Sequence, residues 1–280
     1  MDDGDNASSH ERVMINMTKQ LVRAVVPEQL RSRLWVRLGR MPAPVPPTYN
    51  SDSLVTYGKS VEWMHDPNFV AAYRQGMDSG HKIGRPKNST HDLHIEWRVH
   101  ICCWAAAHAT HLDGDFVECG VNTGIMSLAV CRFIDFNATG KNFYLFDTYA
   151  GIPESHMLPS EKANGIRANE AFYEECYDVA RRNFAPFPKA ALVRGCVPET
   201  LTSVPIDRVC YLQLDMNVAQ PEVAAAEFFW PKLVTGAIVI LDDYGWLGHT
   251  EQRRAMDAFA ARRGVRIATL PTGQGLMLKP

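Results

Sequence analysis
At 280 residues, with 46% hydrophobic and 21% charged residues, the chain is long enough to bury a full core and suits one α/β domain with an extension. A formal net charge of −2 gives no overall field to draw in nucleic acid or an anionic membrane, so recognition must rest on local features. Seven cysteines (Cys102, Cys103, Cys119, Cys131, Cys176, Cys196, Cys210) make no CxxC pair and sit partly in apolar segments, which implies reduced, buried thiols. The amino terminus is polar and acidic, and no apolar run approaches the roughly 20 residues of a membrane span, so a cytoplasmic location is expected.

Residues 1–10 read as a disordered tail. Residues 11–40 carry seven Lys or Arg against Glu11 and Glu28, interleaved with Val, Leu, Met and Trp35. They suit two short amphipathic helices broken near Pro27: an arm that packs on the main domain or on a twin subunit in a homo-oligomer, with weak membrane-surface contact as the alternative. A proline-rich joint follows at 42–50, and residues 11–89 together are expected to form a helical arm and lid, with Tyr57 and Trp63 facing an acceptor. Residues 92–111 are apolar at helical spacing, with Asp92 placed as a cap.

From Asp115 the pattern changes to β-rich runs alternating with helical segments. DFVECG precedes a helix over 124–135, NFYLFD one over 168–184, AALVRG one over 198–203, VCYLQLD one over 219–231, and AIVILDD one over 250–263. VRIATL and GLMLKP close the chain around the turn PTGQ, which favours an antiparallel final pair. The prediction is a Rossmann-like α/β fold over 90–280: a doubly wound, seven-stranded sheet with an antiparallel last strand and an N-terminal helical extension.

Such a sheet binds its ligand at the carboxyl ends of the strands where the strand order reverses. The first turn there reads Glu118-Cys119-Gly120-Val121-Asn122-Thr123-Gly124, with Gly120 allowing the tight turn and Gly124 opening the next helix. A dinucleotide fingerprint would need glycine at Asn122, which weakens an NAD reading. Glu118 would attract the cationic amino group of S-adenosylmethionine and repel a phosphate. Asp147 ends the second strand, where a carboxylate either accepts ribose hydroxyls or binds backbone amides; Thr148 follows it, and Gly195 and Cys196 end the third strand beside the adenine position.

Asp215 closes the fourth strand, and Asp242 and Asp243 close the fifth. Adjacent strands lie about 4.8 Å apart, so these carboxylates should converge unless one merely caps the next helix. Convergence is costly unless protons or a cation compensate the charge, and no Lys or Arg lies within these two strand ends. Hard oxygen ligands point to Mg²⁺, with Asn217 close by, and the site would activate a hydroxyl with His249 or Asp215 as base. His108 and His111, three apart, suit a helix terminus better than a metal.

With these motifs in view the sequence resembles the macrocin O-methyltransferase (TylF-like) family of class I S-adenosylmethionine-dependent methyltransferases. The resemblance covers about residues 90–265 and rests on FVECGVNTG, LFDTYAGIP, RGCVPETL, LQLDMN and WPKLVTGAIVILDDYGW. It implies O-methylation of a sugar or glycosylated natural product, a cofactor pocket at Glu118, Gly120, Gly124 and Asp147, and Mg²⁺ at Asp215, Asp242 and Asp243. The chain departs from the family where a second aspartate and Leu-Tyr-Glu-Ser often follow the first metal aspartate: here Asn217-Val218-Ala219-Gln220-Pro221-Glu222 stands. The competing readings are a phenol or catechol methyltransferase, an NAD-dependent oxidoreductase and a non-catalytic binding module.

Overall fold
The structure, a computed structural model, describes Pro27, Leu30, residues 45–83 and residues 92–280. The tail and nearly all of the basic arm lie outside the described residues. Contacts separate Met1–Pro47 from a compact unit spanning Thr48–Pro280.

The second unit starts with an antiparallel hairpin, β1 (Tyr49–Ser51) and β2 (Leu54–Thr56), where a helical arm was expected. A 3₁₀ turn (Glu62–His65) leads into α1 (Pro67–Met77). Pro67 occupies its first turn and the Asp66 carboxylate accepts from Phe69 N at 2.9 Å, so the start of this helix is set locally. Phe69, Tyr73 and Met77 enter the main core, so this segment is part of the domain rather than a separate arm. Trp63, expected in the lid, packs against Phe69, Trp97 and His100, while Tyr57 stays exposed.

Helix α2 (Glu96–Ala109) begins four residues later than Asp92. Asp92 does not cap it; its carboxylate accepts from Tyr73 Oη and His94 N. Then come β3 (Asp115–Cys119), α3 (Ile125–Phe133), the short α4 (Phe136–Thr139) and β4 (Phe143–Asp147). The helix expected over 168–184 is two, α5 (Lys162–Ala171) and α6 (Tyr177–Phe184), and the one expected after β5 (Ala190–Arg194) is a series of turns. β6 (Val209–Leu214), α7 (Ala219–Phe229), β7 (Leu233–Leu241) and α8 (Thr250–Arg262) follow, and the chain closes with β8 (Ala268–Thr269) and β9 (Gly275–Leu278).

The sheet order is β5-β4-β3-β6-β7-β9-β8, parallel except for β9, which runs antiparallel to both β7 and β8. This is the predicted seven-stranded, doubly wound arrangement. Both faces are buried, so the strands are apolar at successive positions rather than alternating with polar ones. Phe116, Leu145, Tyr211 and Ile240 pack under α1, α2 and α3, while Val117, Phe146, Leu212 and Val239 meet Phe229 and Phe259 on the other face. All seven cysteines are free thiols, six of them buried.

The chain runs from β3 outward through β4 to β5, then returns to β6 on the other side of β3. The crevice at the carboxyl ends of β4, β3 and β6 is therefore the reversal point where such sheets hold ligands.

Candidate active site
Register fixes the site before any side chain is considered. Cys119 pairs with Leu214, and Leu214 with Leu241, so the residues that follow, Gly120, Asp215 and Asp242, emerge side by side. Asp215 N donates to Cys119 O at 2.8 Å and Asp242 N to Leu214 O at 3.0 Å, carrying the sheet ladder one step further. Gly120 has φ +92°, and a Cβ there would lie 1.8 Å from the Asp215 carbonyl oxygen. Only glycine lets the first turn pass so close to the end of β6.

Above these strand ends lies a cavity of about 350 Å³. Of the predicted cofactor residues, Glu118, Gly120, Asn122, Asp147, Thr148, Gly195 and Cys196 line it. Thr123 and Gly124 do not: the Thr123 hydroxyl pairs with Ser79 Oγ at 2.8 Å, and Gly124 turns the chain at φ +102° against the Phe184 ring. Their role is to seat the turn and open α3.

Glu118 is wholly buried and its Oε2 has no hydrogen-bond partner. Burial pushes its carboxyl well above the usual range, and the Asp215 and Asp147 charges add to this. An unpartnered buried carboxylate oxygen beside a cavity is matched by a cationic donor in the ligand. Asp147 has both oxygens engaged: Oδ2 accepts from Val121 N (2.6 Å) and Asn122 N (2.7 Å), and Oδ1 from Tyr149 N (2.6 Å). It ties the first turn to the end of β4, the backbone-amide alternative foreseen for it. Thr148 Oγ1 also lies 3.3 Å from Oδ1 but donates to Gly151 O at 2.6 Å, so of about four acceptor sites one remains for a hydroxyl.

The Asp215, Asp242 and Asp243 carboxylates do converge, with oxygens within 4.8 Å of one another. The cation expected beside them turns out to include a residue from a distant element. Arg98, in the first turn of α2, ion-pairs with Asp242 and lies 3.9 Å from Asp243. Gln274 Nε2, from the turn into β9, donates to Asp242 Oδ1 at 3.0 Å. Asp242 is fully buried behind the cavity wall, whereas Asp215, Asp243 and Arg98 face the cavity. Asp215 is half-buried, and its carboxyl is pushed up to about 7 by burial and Asp243, with Arg98 pulling the other way. One guanidinium against three carboxylates leaves two negative charges, the charge of one divalent cation. The donor set of hard oxygens and this residual charge fit Mg²⁺.

His249 is not among the residues lining the cavity. It sits in a 3₁₀ turn before α8, its Nδ1 paired with Gln252, and Gln252 in turn donates to buried Glu222 at 2.7 Å. Glu222 accepts from Met216 N at 3.0 Å, so this chain of contacts braces the loop after Asp215. Asn217 lines the cavity in a left-handed conformation (φ +63°) and its amide donates to Tyr173 Oη at 3.2 Å. His108 Nε2 pairs with the Gly236 carbonyl of β7 at 3.0 Å rather than with the end of its own helix.

Sequence reasoning missed Arg98, Asp52 and Tyr173, all of which line the cavity. Arg98 left a signal. It is the single Arg or Lys in a mainly apolar helix that also carries Glu96, His100 and His108, and it stands in the first turn, where the helix dipole disfavours a cation, which favours a tertiary partner.

A profile of the family described as Macrocin-O-methyltransferase (TylF) matches residues 98–270. The chain is 26% identical over 155 residues to the Streptomyces olivaceus 8-demethyl-8-(2,3-dimethoxy-alpha-L-rhamnosyl)-tetracenomycin-C 4′-O-methyltransferase, covering 51% of this chain and 57% of that protein. It is 24% identical over 143 residues to the Streptomyces niveus demethyldecarbamoylnovobiocin O-methyltransferase, covering 48% and 54%. The chain thus spans about half the length of the curated relatives it matches. The O-methyltransferase NovP superposes with a TM-score of 0.59 at 20% identity, covering 75% of this chain and 87% of that one, a likeness of fold. The matched residues run from Arg98 to Leu270 and so take in the glycine turn, the carboxylate cluster and the guanidinium that pairs with it: the chain belongs to the macrocin-O-methyltransferase (TylF) family.

Proposed function
We propose that the protein transfers the methyl group of S-adenosylmethionine to a hydroxyl of a sugar or glycosylated natural product, with Mg²⁺ held by Asp215, Asp242 and Asp243. The observation that carries this reading is one shared cavity: the glycine turn with buried Glu118 and the carboxylate cluster at the ends of β6 and β7 open into the same space. The two curated relatives, named for methylation of a rhamnosyl tetracenomycin and of a novobiocin precursor, support the acceptor class.

Glu118 would hold the cofactor's amino group, Asp147 a ribose hydroxyl with its one remaining acceptor site, and Gly195 and Cys196 would flank the adenine. Bound Mg²⁺ supplies a lowered pKa for an acceptor hydroxyl. Asp215, facing the cavity, is placed to receive the acceptor proton. Its backbone, locked to Cys119, keeps it in register with the cofactor turn, so positioning supplies most of the rate. Glu222 and Gln252 hold the loop after Asp215; His249 steadies them from outside and takes no proton.

Isothermal calorimetry with S-adenosylmethionine tests the cofactor half of the reading. Micromolar binding is expected, retained in Asp215→Asn and retained in EDTA. No binding by the wild-type chain, with or without Mg²⁺, contradicts it.

A further inference from the structure
We propose that Asp52, at the tip of the β1–β2 hairpin, reads the acceptor and selects neutral and amino sugars over anionic ones. This rests on the methyltransferase reading and adds a substrate class to it.

Asp52 lines the cavity, as do Ile83, Leu93, Ile95, Arg98 and Asp243, and it lies within electrostatic reach of Arg98 and Asp243. Its position is built rather than incidental. Ser51 pairs with Leu54, leaving a two-residue loop in which Asp52 (φ +50°) and Ser53 (φ +58°) both take the left-handed conformation. Such a turn matches the twist of a hairpin, yet it normally recruits glycine, and this one has none. The hairpin is tied down at its base, where Tyr49 Oη donates to His94 O at 2.9 Å and to Glu96 Oε2 at 3.0 Å.

The electrostatics of that end of the cavity then limit what can bind. Asp52, Asp215 and Asp243 face it, while Arg98 is committed to Asp242. Among the described residues lining the cavity no other Lys or Arg stands free to meet a phosphate or a carboxylate. Burial raises the Asp52 carboxyl, opposed by Arg98 and reinforced by Glu96 and Asp243, and hydrogen-bond donors from a ligand would favour its charged form. Two sugar hydroxyls, or a hydroxyl and an ammonium, would supply them through charge-assisted hydrogen bonds. With Mg²⁺ and Arg98 balancing Asp215, Asp242 and Asp243, an acceptor carrying a phosphate or a uronate near the methylated ring would instead face the uncompensated Asp52 carboxylate.

The test uses the full chain with tritiated S-adenosylmethionine and Mg²⁺ on matched p-nitrophenyl glycosides: a rhamnoside, a glucoside, a glucosaminide and a glucuronide. The neutral or amino members should exceed the glucuronide at least tenfold in kcat/KM. Asp52→Asn should lower kcat/KM for the preferred acceptor by about tenfold, chiefly through KM, the size expected for one lost charge-assisted bond. Asp52→Arg should shift the preference toward the glucuronide, and cofactor affinity should not change in either variant. A wild-type preference for the glucuronide, or unchanged KM and preference in both variants, overturns the inference. So does transfer to no glycoside when calorimetry shows the cofactor bound; failure of cofactor binding overturns the underlying reading instead.

Discussion
Glu118 and Arg98 carry opposite kinds of risk for the protein. Glu118 is a buried carboxyl with an unpartnered oxygen, a cost that the proposed cationic cofactor would offset. Glu118→Gln should therefore keep or raise the melting temperature while weakening S-adenosylmethionine binding by about tenfold or more, as expected when a charged partner is lost. Unchanged affinity by calorimetry would show that the amino group lies elsewhere. Arg98 compensates Asp242, which has no exposure to solvent. Arg98→Ala strands that carboxylate and should cost on the order of 3–5 kcal/mol in urea denaturation. Loss of less than about 1 kcal/mol, the range of a surface pair, would mean that the pair contributes only as such.

At the scale of elements, the sheet was legible and its decorations less so. Apolar strands separated by helical segments, the first five runs ending in glycine or aspartate, pointed to a doubly wound sheet and to the end of it that matters. The break between α5 and α6 was not visible, because residues 172–176 carry no glycine or proline and the chain leaves the helix there for tertiary reasons. The hairpin was hidden by its turn, Asp52-Ser53, which lacks the usual glycine. Arg98 lies 144 residues from Asp242, so its pairing depends on where α2 crosses the strand ends, which no local pattern encodes. The brace after β6 yields a prediction of its own. Burial pushes the Glu222 carboxyl from its ordinary 4.5 to about 8, outweighing the bonds from Met216 N and Gln252. Between those values the folded chain holds a proton that the unfolded chain releases, so stability is greatest below the window and falls as pH rises through it. Glu222→Gln should flatten that decline, melting above the wild type at pH 9 and alongside it near pH 4. Identical pH profiles for the two would contradict the assignment.

For the molecule as a whole, the crossing point of the sheet brings together two halves that neither motif defines alone. The glycine turn by itself suits many nucleotides, and strand-end aspartates by themselves suit many metals. Their union in one cavity is what the proposed methyl transfer onto a hydroxyl rests on. Asn217 stands where the family often has aspartate, which takes one carboxylate from that cavity and leaves Asp52, Asp215 and Asp243 there. The account therefore stands or falls on methyl transfer that needs both halves. Tritiated S-adenosylmethionine should label a neutral glycoside in the presence of Mg²⁺, with the rate falling at least a hundredfold in EDTA and in Asp215→Asn, the scale of a lost catalytic group, while cofactor binding persists. Methyl transfer that proceeds undiminished in EDTA and in Asp215→Asn would contradict it.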